Sequence, residues 1–197
     1  MCQRLSAIVT RPLADSPARF VPCEFTRHHS AQLAAEGIEQ TKAMEHFVRL
    51  ENVLQPDGWW AMKLDETTVP TWYDDELKRF VADQYERWID RVTIRKNRPA
   101  LLGGTWIVLG EVKITHACNC AIIVGPQAKL TLGDILESVE ADLIGAGTLK
   151  TGNIYAAGTL KTGNIDGTLT TGGIAPKALI GEYAKAYLDR KIKGTKP

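Results

Sequence analysis

Hydrophobic and polar positions in the first part of the chain follow two different periods. Residues 5–10 are a short run of strand-favouring residues that ends at Arg11-Pro12, which predicts a first β-strand. Apolar and polar residues alternate over residues 46–54, and residues 59–64 follow after the turn sequence Pro56-Asp57-Gly58. These two segments predict a β-hairpin. The prolines Pro12, Pro17 and Pro22 predict a loop after the first strand.

A period of about 3.6 residues replaces the alternation between residues 72 and 91, and it predicts a long helix. Thr71 can cap this helix, and the acidic residues at its start suit the positive end of the helix dipole. A shorter helix is predicted over residues 30–38, with Ser30 as its cap and Gly37 near its end. Strands and helices together predict an α+β domain over residues 1–99.

The second half of the chain contains a repeat. Residues 147–154 read Gly-Thr-Leu-Lys-Thr-Gly-Asn-Ile, residues 158–165 repeat all eight letters, and residues 167–174 give a variant copy. The copies start 11 and then 9 residues apart, far below the roughly 33–47 residues of helical repeats. One large apolar residue about every five positions, with glycines between, predicts small coils with two short sides. We therefore predict a β-solenoid over residues 100–175.

Stacking of such coils at about 4.8 Å predicts which side chains become neighbours. We expect one ladder of Thr148, Thr159 and Thr168, and another of Thr151, Thr162 and Thr171. Lys150 then stacks near Lys161, which favours a solvated face. The resulting candidate binding surface consists of Lys150, Thr151, Asn153, Lys161, Thr162, Asn164, Thr170 and Thr171.

Residues 176–197 have the pattern of a C-terminal helix and tail. A solenoid needs its open end covered, and an amphipathic helix at this position can serve as the cap. The apolar positions that predict it are Leu179, Ile180, Tyr183, Tyr187, Leu188 and Ile192.

Composition narrows the class of protein. Residues 1–95 carry 12 basic and 15 acidic groups and residues 96–197 carry 12 and 8, so neither half has the charge density of a dedicated nucleic-acid binder. No apolar stretch reaches the roughly 18 residues that span a bilayer, and the first residues lack the apolar core of a signal peptide. Four cysteines in a chain of this size suit free thiols and a reducing compartment. We therefore expect a cytoplasmic protein that needs no cofactor.

Cys2 is the candidate catalytic residue. Removal of Met1 would leave an N-terminal cysteine whose amine can act as the base for its own thiol. The start Met1-Cys2-Gln3-Arg4 resembles that of class II glutamine amidotransferases and of abasic-site-crosslinking proteins, but their further motifs are missing. The alternative is a small residue ahead of the first strand.

The segment from His116 through Cys118 to Cys120 offers three potential zinc ligands, which would share one face of an extended strand. A structural zinc site needs about four ligands, usually from two separate pairs. We therefore expect no metal site here and interpret the cysteines as small core residues, with zinc binding as the alternative.

Several segments together resemble uncharacterised proteins of phages and mobile elements, in which a Met-Cys N-terminal domain precedes a run of short repeats. The resemblance covers most of the chain and implies a phage or prophage origin, and it implies no activity. The segments that carry it are Met1-Cys2, Ser6-Ala7-Ile8-Val9-Thr10, Phe47-Val48-Arg49-Leu50-Glu51, Pro56-Asp57-Gly58, residues 60–66 and Leu101-Leu102-Gly103-Gly104-Thr105-Trp106-Ile107.

Three function classes follow from these patterns. The favoured hypothesis is a phage-type binding protein, counter-defence or accessory, which presents the solenoid surface to a macromolecular partner, most simply a protein in the host cytoplasm. A Cys2-dependent enzyme or covalent trap is the second. A structural virion or assembly component is the third, because exposed strand edges of solenoids favour homo-oligomers.

Overall fold

The computed structural model of the chain describes residues 5–11, 16–24, 29–39, 45–54, 60–135, 137–154, 159–172 and 179–180. The chain divides into two compact units, Met1–Arg91 and Val92–Pro197. The division precedes the predicted boundary at residue 100, because Thr93 and Ile94 already pair with the next strand of the second unit. Cys2 and most of the predicted C-terminal helix lie outside the described residues. Within those residues, no helix combines the length and apolar character that crossing a bilayer requires.

The first unit contains a four-stranded antiparallel sheet in the order β2-β1-β3-β4. Its strands are β1 (Ala7–Thr10), β2 (Arg19–Pro22), β3 (Phe47–Leu54) and β4 (Trp60–Leu64). The predicted hairpin is confirmed, because β3 and β4 pair antiparallel with Leu50 opposite Leu64. The loop predicted after β1 is wrong for residues 19–22, because these residues form β2 and pair with β1 along the whole strand. An edge strand tolerates the proline at its end, since that position need not donate a ladder hydrogen bond.

Two helices accompany this sheet, α1 (His29–Ala35) and α2 (Asp75–Val92). The helix α2 begins later than the pattern suggested, because the Asp74 carboxylate accepts the Leu77 backbone N–H at 2.9 Å and so acts as the N-cap in place of Thr71. The buried residues Ile8 and Phe47 of the sheet pack against Leu33 of α1.

The second unit is a β-solenoid over residues 93–170. Every strand pair in it is parallel. A whole coil of the chain separates neighbouring strands in a solenoid, so these strands run in the same direction. The strands are β5 (Thr93–Ile94), β6 (Arg98–Leu102), β7 (Thr105–Val108), β8 (Glu111–Cys118), β9 (Cys120–Val124), β10 (Lys129–Leu132), β11 (Ser138–Lys150), β12 (Thr159–Thr170) and β13 (Leu179–Ile180). Leu179 and Ile180, which were predicted to be helical, therefore form a short strand instead.

Each coil has two sides, as predicted. Side A stacks β5, β7, β9, the first parts of β11 and β12, and β13, and side B stacks β6, β8, β10 and the second parts of β11 and β12. Single aliphatic residues point inward from both sides into one continuous core. On side B, one column of that core is formed by Val112, Leu130, Leu149 and Leu169, each at most 1% exposed.

The repeat copies do not stack directly on one another. Gly147 pairs with Gly167, twenty positions further on, so the first and third copies are neighbours on side B. The middle copy lies on side A, where Thr159 pairs with Ser138 and Lys161 with Glu140. The predicted ladder is therefore right for Thr148 and Thr168 and wrong for Thr159. One coil of about 20 residues contains two copies, one on each side. This is possible because the short strand on each side needs only one inward apolar residue, which one copy supplies.

Candidate binding surface on the solenoid

Side B presents a regular row of outward side chains. Along β8 and β10 buried and exposed residues alternate, so Val112 and Leu130 point inward while Lys113 and Lys129 point outward. The same alternation continues around the inward residues of the next two layers. A strand that is buried on one face must alternate in this way, since successive side chains point to opposite faces.

The outward residues form two columns across four layers, which we call the threonine–lysine face. The register places members of each column directly beside one another. The first column is Glu111, Lys129, Thr148 and Thr168, and the second is Lys113, Thr131, Lys150 and Thr170. All eight are exposed except Thr148, which is half-buried.

The threonine–lysine face has a net positive charge, because it carries three lysines (Lys113, Lys129 and Lys150) and one acidic residue, Glu111. Lys113 and Lys150 lie two strands apart, about 10 Å at the backbone, with Lys129 offset between them. Glu111 is the register neighbour of Lys129 and balances part of the charge at one end. The face therefore presents threonine hydroxyl groups, which can form hydrogen bonds, with lysine ammonium groups spaced apart between them.

The corner after side B is held by backbone contacts between coils. Gly133, Gly152 and Gly172 follow one another there, and the Gly172 N–H donates to the Gly152 carbonyl at 3.0 Å. A Cβ atom on Gly152 would meet the Asp134 carboxylate and would lie 3.0 Å from the Gly133 backbone carbon, so larger residues do not fit without a shift. The Asp134 carboxylate accepts the Asn153 backbone N–H at 2.7 Å and links two coils. These contacts fix the register of the face.

The predicted binding residues divide between different places in the structure. Lys150 and Thr170 lie on the threonine–lysine face as register neighbours. Thr151 is buried at 9% exposure, and its backbone N–H donates to the Thr170 carbonyl, so it belongs to the corner and not to the surface. Thr171 is half-buried and Asn153 is exposed at the same corner.

The other three predicted binding residues belong to side A. Lys161, Thr162 and Asn164 lie in the first part of β12, where Lys161 pairs with Glu140 and Thr162 with Ala141. Because the copies alternate between sides, these residues cannot extend the same face as Lys150. The predicted stacking of Lys150 on Lys161 is therefore wrong.

The three residues of the alternative metal site also lie in different environments. Asn119 has a left-handed backbone with φ of 48°, a conformation that asparagine tolerates, and it turns the chain between β8 and β9. Cys120 enters the solenoid core, where burial raises the pKa of its thiol to about 11, while His116 stays exposed. Within the described residues these three side chains do not form a group with ligand atoms close enough for one ion.

Cys118 has a different partner. Its thiol donates a hydrogen bond to the Glu137 carboxylate at 2.7 Å, and this contact raises the pKa of the thiol. The Asn119 amide donates to the same carboxylate at 3.0 Å. A thiol held protonated in this way is a poor nucleophile.

Sequence reasoning missed half of the threonine–lysine face, namely Glu111, Lys113, Lys129 and Thr131. The available signal was an exposed residue on each side of a single leucine or valine, as in Lys129-Leu130-Thr131 and Thr148-Leu149-Lys150. Two of the copies at 147–174 are identical in sequence and the third differs at two positions, whereas the earlier layers share only this pattern.

Comparison of the chain with protein-family models, with curated proteins and with solved structures finds no match.

Proposed function

We propose that this chain is a binding protein and that the threonine–lysine face is its contact surface for a protein with an acidic surface. The observation that carries the proposal is the pair of outward columns, which repeat hydroxyl and ammonium groups at strand spacing over four layers. The net positive charge of the face is complementary to carboxylates, and such complementarity directs encounter and register.

A rigid base favours this use of the surface. The residues behind the face, such as Leu130 and Leu149, are at most 1% exposed and close-packed between coils. Short threonine side chains lose little conformational entropy when a partner covers them, whereas the lysines offer flexible charge-assisted hydrogen bonds. Binding therefore requires little ordering of the backbone, which lowers the cost of association.

Further parts of the proposal rest on the sequence. An α+β class for residues 1–99, and a C-terminal helix that caps the solenoid beyond the strand Leu179–Ile180, fit a soluble accessory protein. The resemblance to phage and mobile-element proteins supports an accessory or counter-defence role in the host cytoplasm, where a small binding protein can act without chemistry of its own.

A pull-down with matched charge variants tests the contact surface. The face variant Lys129→Glu/Lys150→Glu is compared with Lys63→Glu/Lys78→Glu, which changes the same charge at exposed lysines of the first unit. We expect the wild type and the control variant to capture the same host protein and the face variant to lose it. We also expect the affinity to fall with added salt, because exposed charges are screened beyond about 8 Å at physiological ionic strength. Equal capture by both variants would contradict the proposal.

Two alternative functions predict different results for the same protein and its variants. If the face serves assembly, the partner is a second copy, and sedimentation would show an oligomer that Lys129→Glu/Lys150→Glu dissociates. If Cys2 is catalytic, intact-mass analysis would show that Met1 has been removed and that a thiol at position 2 reacts with an electrophile before the others.

A further inference from the structure

A second cluster of functional side chains lies in the first unit and has no role in the proposed binding surface. One ring nitrogen of His29 and one carboxylate oxygen each of Glu51 and Asp65 lie within 4.8 Å of one another. His29 is only 3% exposed, and both acidic residues are half-buried. No other group of three or more histidine, cysteine or acidic residues in the described part of the chain comes this close.

Three separate elements bring these residues together. Glu51 lies in β3, and Asp65 directly follows β4, where its backbone N–H donates to the Arg49 carbonyl at 2.9 Å. In this register Asp65 lies opposite Arg49, one diagonal step from Glu51 on the same face of the hairpin. His29 is the first residue of α1. The cluster therefore depends on tertiary structure and not on a local motif.

One ring nitrogen of the histidine contacts a backbone carbonyl. Its Nε2 lies 3.1 Å from the Leu50 carbonyl oxygen. Because a carbonyl only accepts, Nε2–H must donate, and in a neutral ring the lone pair is then on Nδ1. Metal ligands commonly have their second ring nitrogen fixed by a backbone carbonyl in this way.

The nearby arginine already has an acidic partner beside the cluster. The Glu66 carboxylate holds the Arg49 guanidinium through two hydrogen bonds, of 2.9 Å to Nε and 3.2 Å to Nη2. Glu66 is more deeply buried than Arg49, with side-chain exposures of 8% and 39%. This ion pair accounts for one positive and one negative charge. Lys63, which is exposed, lies opposite Glu51 in the register, so Glu51, Asp65 and Lys63 together leave one further negative charge on this face of the hairpin.

We propose that His29, Glu51 and Asp65 form a binding site for one divalent transition-metal ion, with Zn²⁺ as the fitting ion. Two like-charged carboxylates beside a buried imidazole are unfavourable together, and a dication neutralises them. One nitrogen and two oxygen ligands suit zinc better than calcium or magnesium, which prefer oxygen ligands alone.

The observed spacing is compatible with such a site. Ligand atoms bound at zinc distances to a common tetrahedral ion lie about 3.4 Å apart, so the three atoms need to approach one another by at most about 1.4 Å, within the reach of side-chain rotations. Three protein ligands leave a fourth position for water or an anionic donor, as in zinc sites that do chemistry.

Metal titration of the full chain tests the proposal. After chelator treatment, calorimetry with ZnCl₂ should show one strong site in the wild type. Glu51→Gln and Asp65→Asn, which keep side-chain shape, should each weaken binding by at least about 100-fold. Glu66→Gln, a change at the adjacent carboxylate that pairs with Arg49, should change the affinity by less than about 3-fold. Circular dichroism confirms that each variant is folded.

The cysteines require their own control, because thiols also bind zinc. Co²⁺ added in place of Zn²⁺ reports thiolate ligands by an intense charge-transfer absorption, which we expect to be missing. Wild-type protein that binds no Zn²⁺ would overturn the proposal, and this result needs no variant. Binding that survives in Asp65→Asn but is lost in Cys118→Ser/Cys120→Ser would overturn it as well. Neither result bears on the threonine–lysine face, so the two proposals fail independently.

Discussion

Truncation of Leu149 tests the stacked aliphatic core of the solenoid most directly. This side chain is 0% exposed and lies between Leu130 and Leu169 in the inward column of side B. Leu149→Ala removes three buried carbons and leaves a void whose cost depends on how far the surroundings collapse, in a range of about 2–5 kcal/mol.

The structure indicates that little collapse is possible. The strand is held on one side by the hydrogen bond from the Thr148 N–H to the Ala128 carbonyl at 2.7 Å. It is held on the other side by the bond from the Thr151 N–H to the Thr170 carbonyl at 2.9 Å. Because these ladders fix the coil spacing, the neighbouring leucines cannot move into the void. We therefore expect a loss of about 3–4 kcal/mol in the free energy of unfolding of the second unit.

Urea denaturation, monitored by hydrogen exchange and mass spectrometry, measures this loss locally. A local measurement is needed because the two units of the chain need not unfold together. Lys150→Ala is the matched control, since it truncates the exposed neighbour on the same strand and should change stability by less than about 0.5 kcal/mol. Leu149→Met, which conserves volume, should cost less than about 1.5 kcal/mol. A loss below about 1 kcal/mol for Leu149→Ala, close to that of the control, would refute the stacked core.

Three further predictions concern single positions. Gly152→Ala should destabilise the second unit by about 1–3 kcal/mol in the same denaturation assay, because its methyl group meets the Asp134 carboxylate and crowds the Gly133 backbone. A wild-type midpoint would contradict the corner geometry. Asp74→Ala should cost about 1 kcal/mol, whereas Asp74→Asn, which keeps an oxygen for the Leu77 N–H, should cost less. Glu137→Gln should lower the pKa of Cys118, because the carboxylate that stabilises the protonated thiol is gone. Peptide mapping after maleimide labelling near pH 8 should then show faster modification of Cys118, and an unchanged rate would contradict the hydrogen bond.

The solenoid could be predicted because its signal is local. One apolar residue per short strand and glycine between strands are properties of consecutive residues, and they recur in the copies at 147–174. The assignment of copies to sides could not be predicted, because the letters are the same on both sides. The pairing of residues 147–150 with residues 167–170 in the structure shows that a coil contains two copies.

The hairpin and the long helix were also predictable, and the first unit shows where local patterns fail. The strand β2 was missed because its terminal Pro22 indicated a loop, although an edge position accepts it. The cluster of His29, Glu51 and Asp65 was missed for another reason. Its members are spaced irregularly along the chain, and each has an ordinary explanation in its own segment. The register of β3 with β4 brings the two acidic residues together, and the position of α1 adds His29.

The variant copy at residues 167–174 has a physical explanation once the sides are known. It carries Thr170 where the other two copies carry Lys150 and Lys161. Thr170 is the register neighbour of Lys150 on side B, as is Thr131 in the preceding layer, so the second column alternates lysine with threonine. A third lysine-bearing copy would set two ammonium groups directly opposite each other, which destabilises a sheet. On side A the middle copy has a lysine, and the register partner of Lys161 there is Glu140. The alternation of lysine and threonine in the second column therefore favours the stacking of the coils.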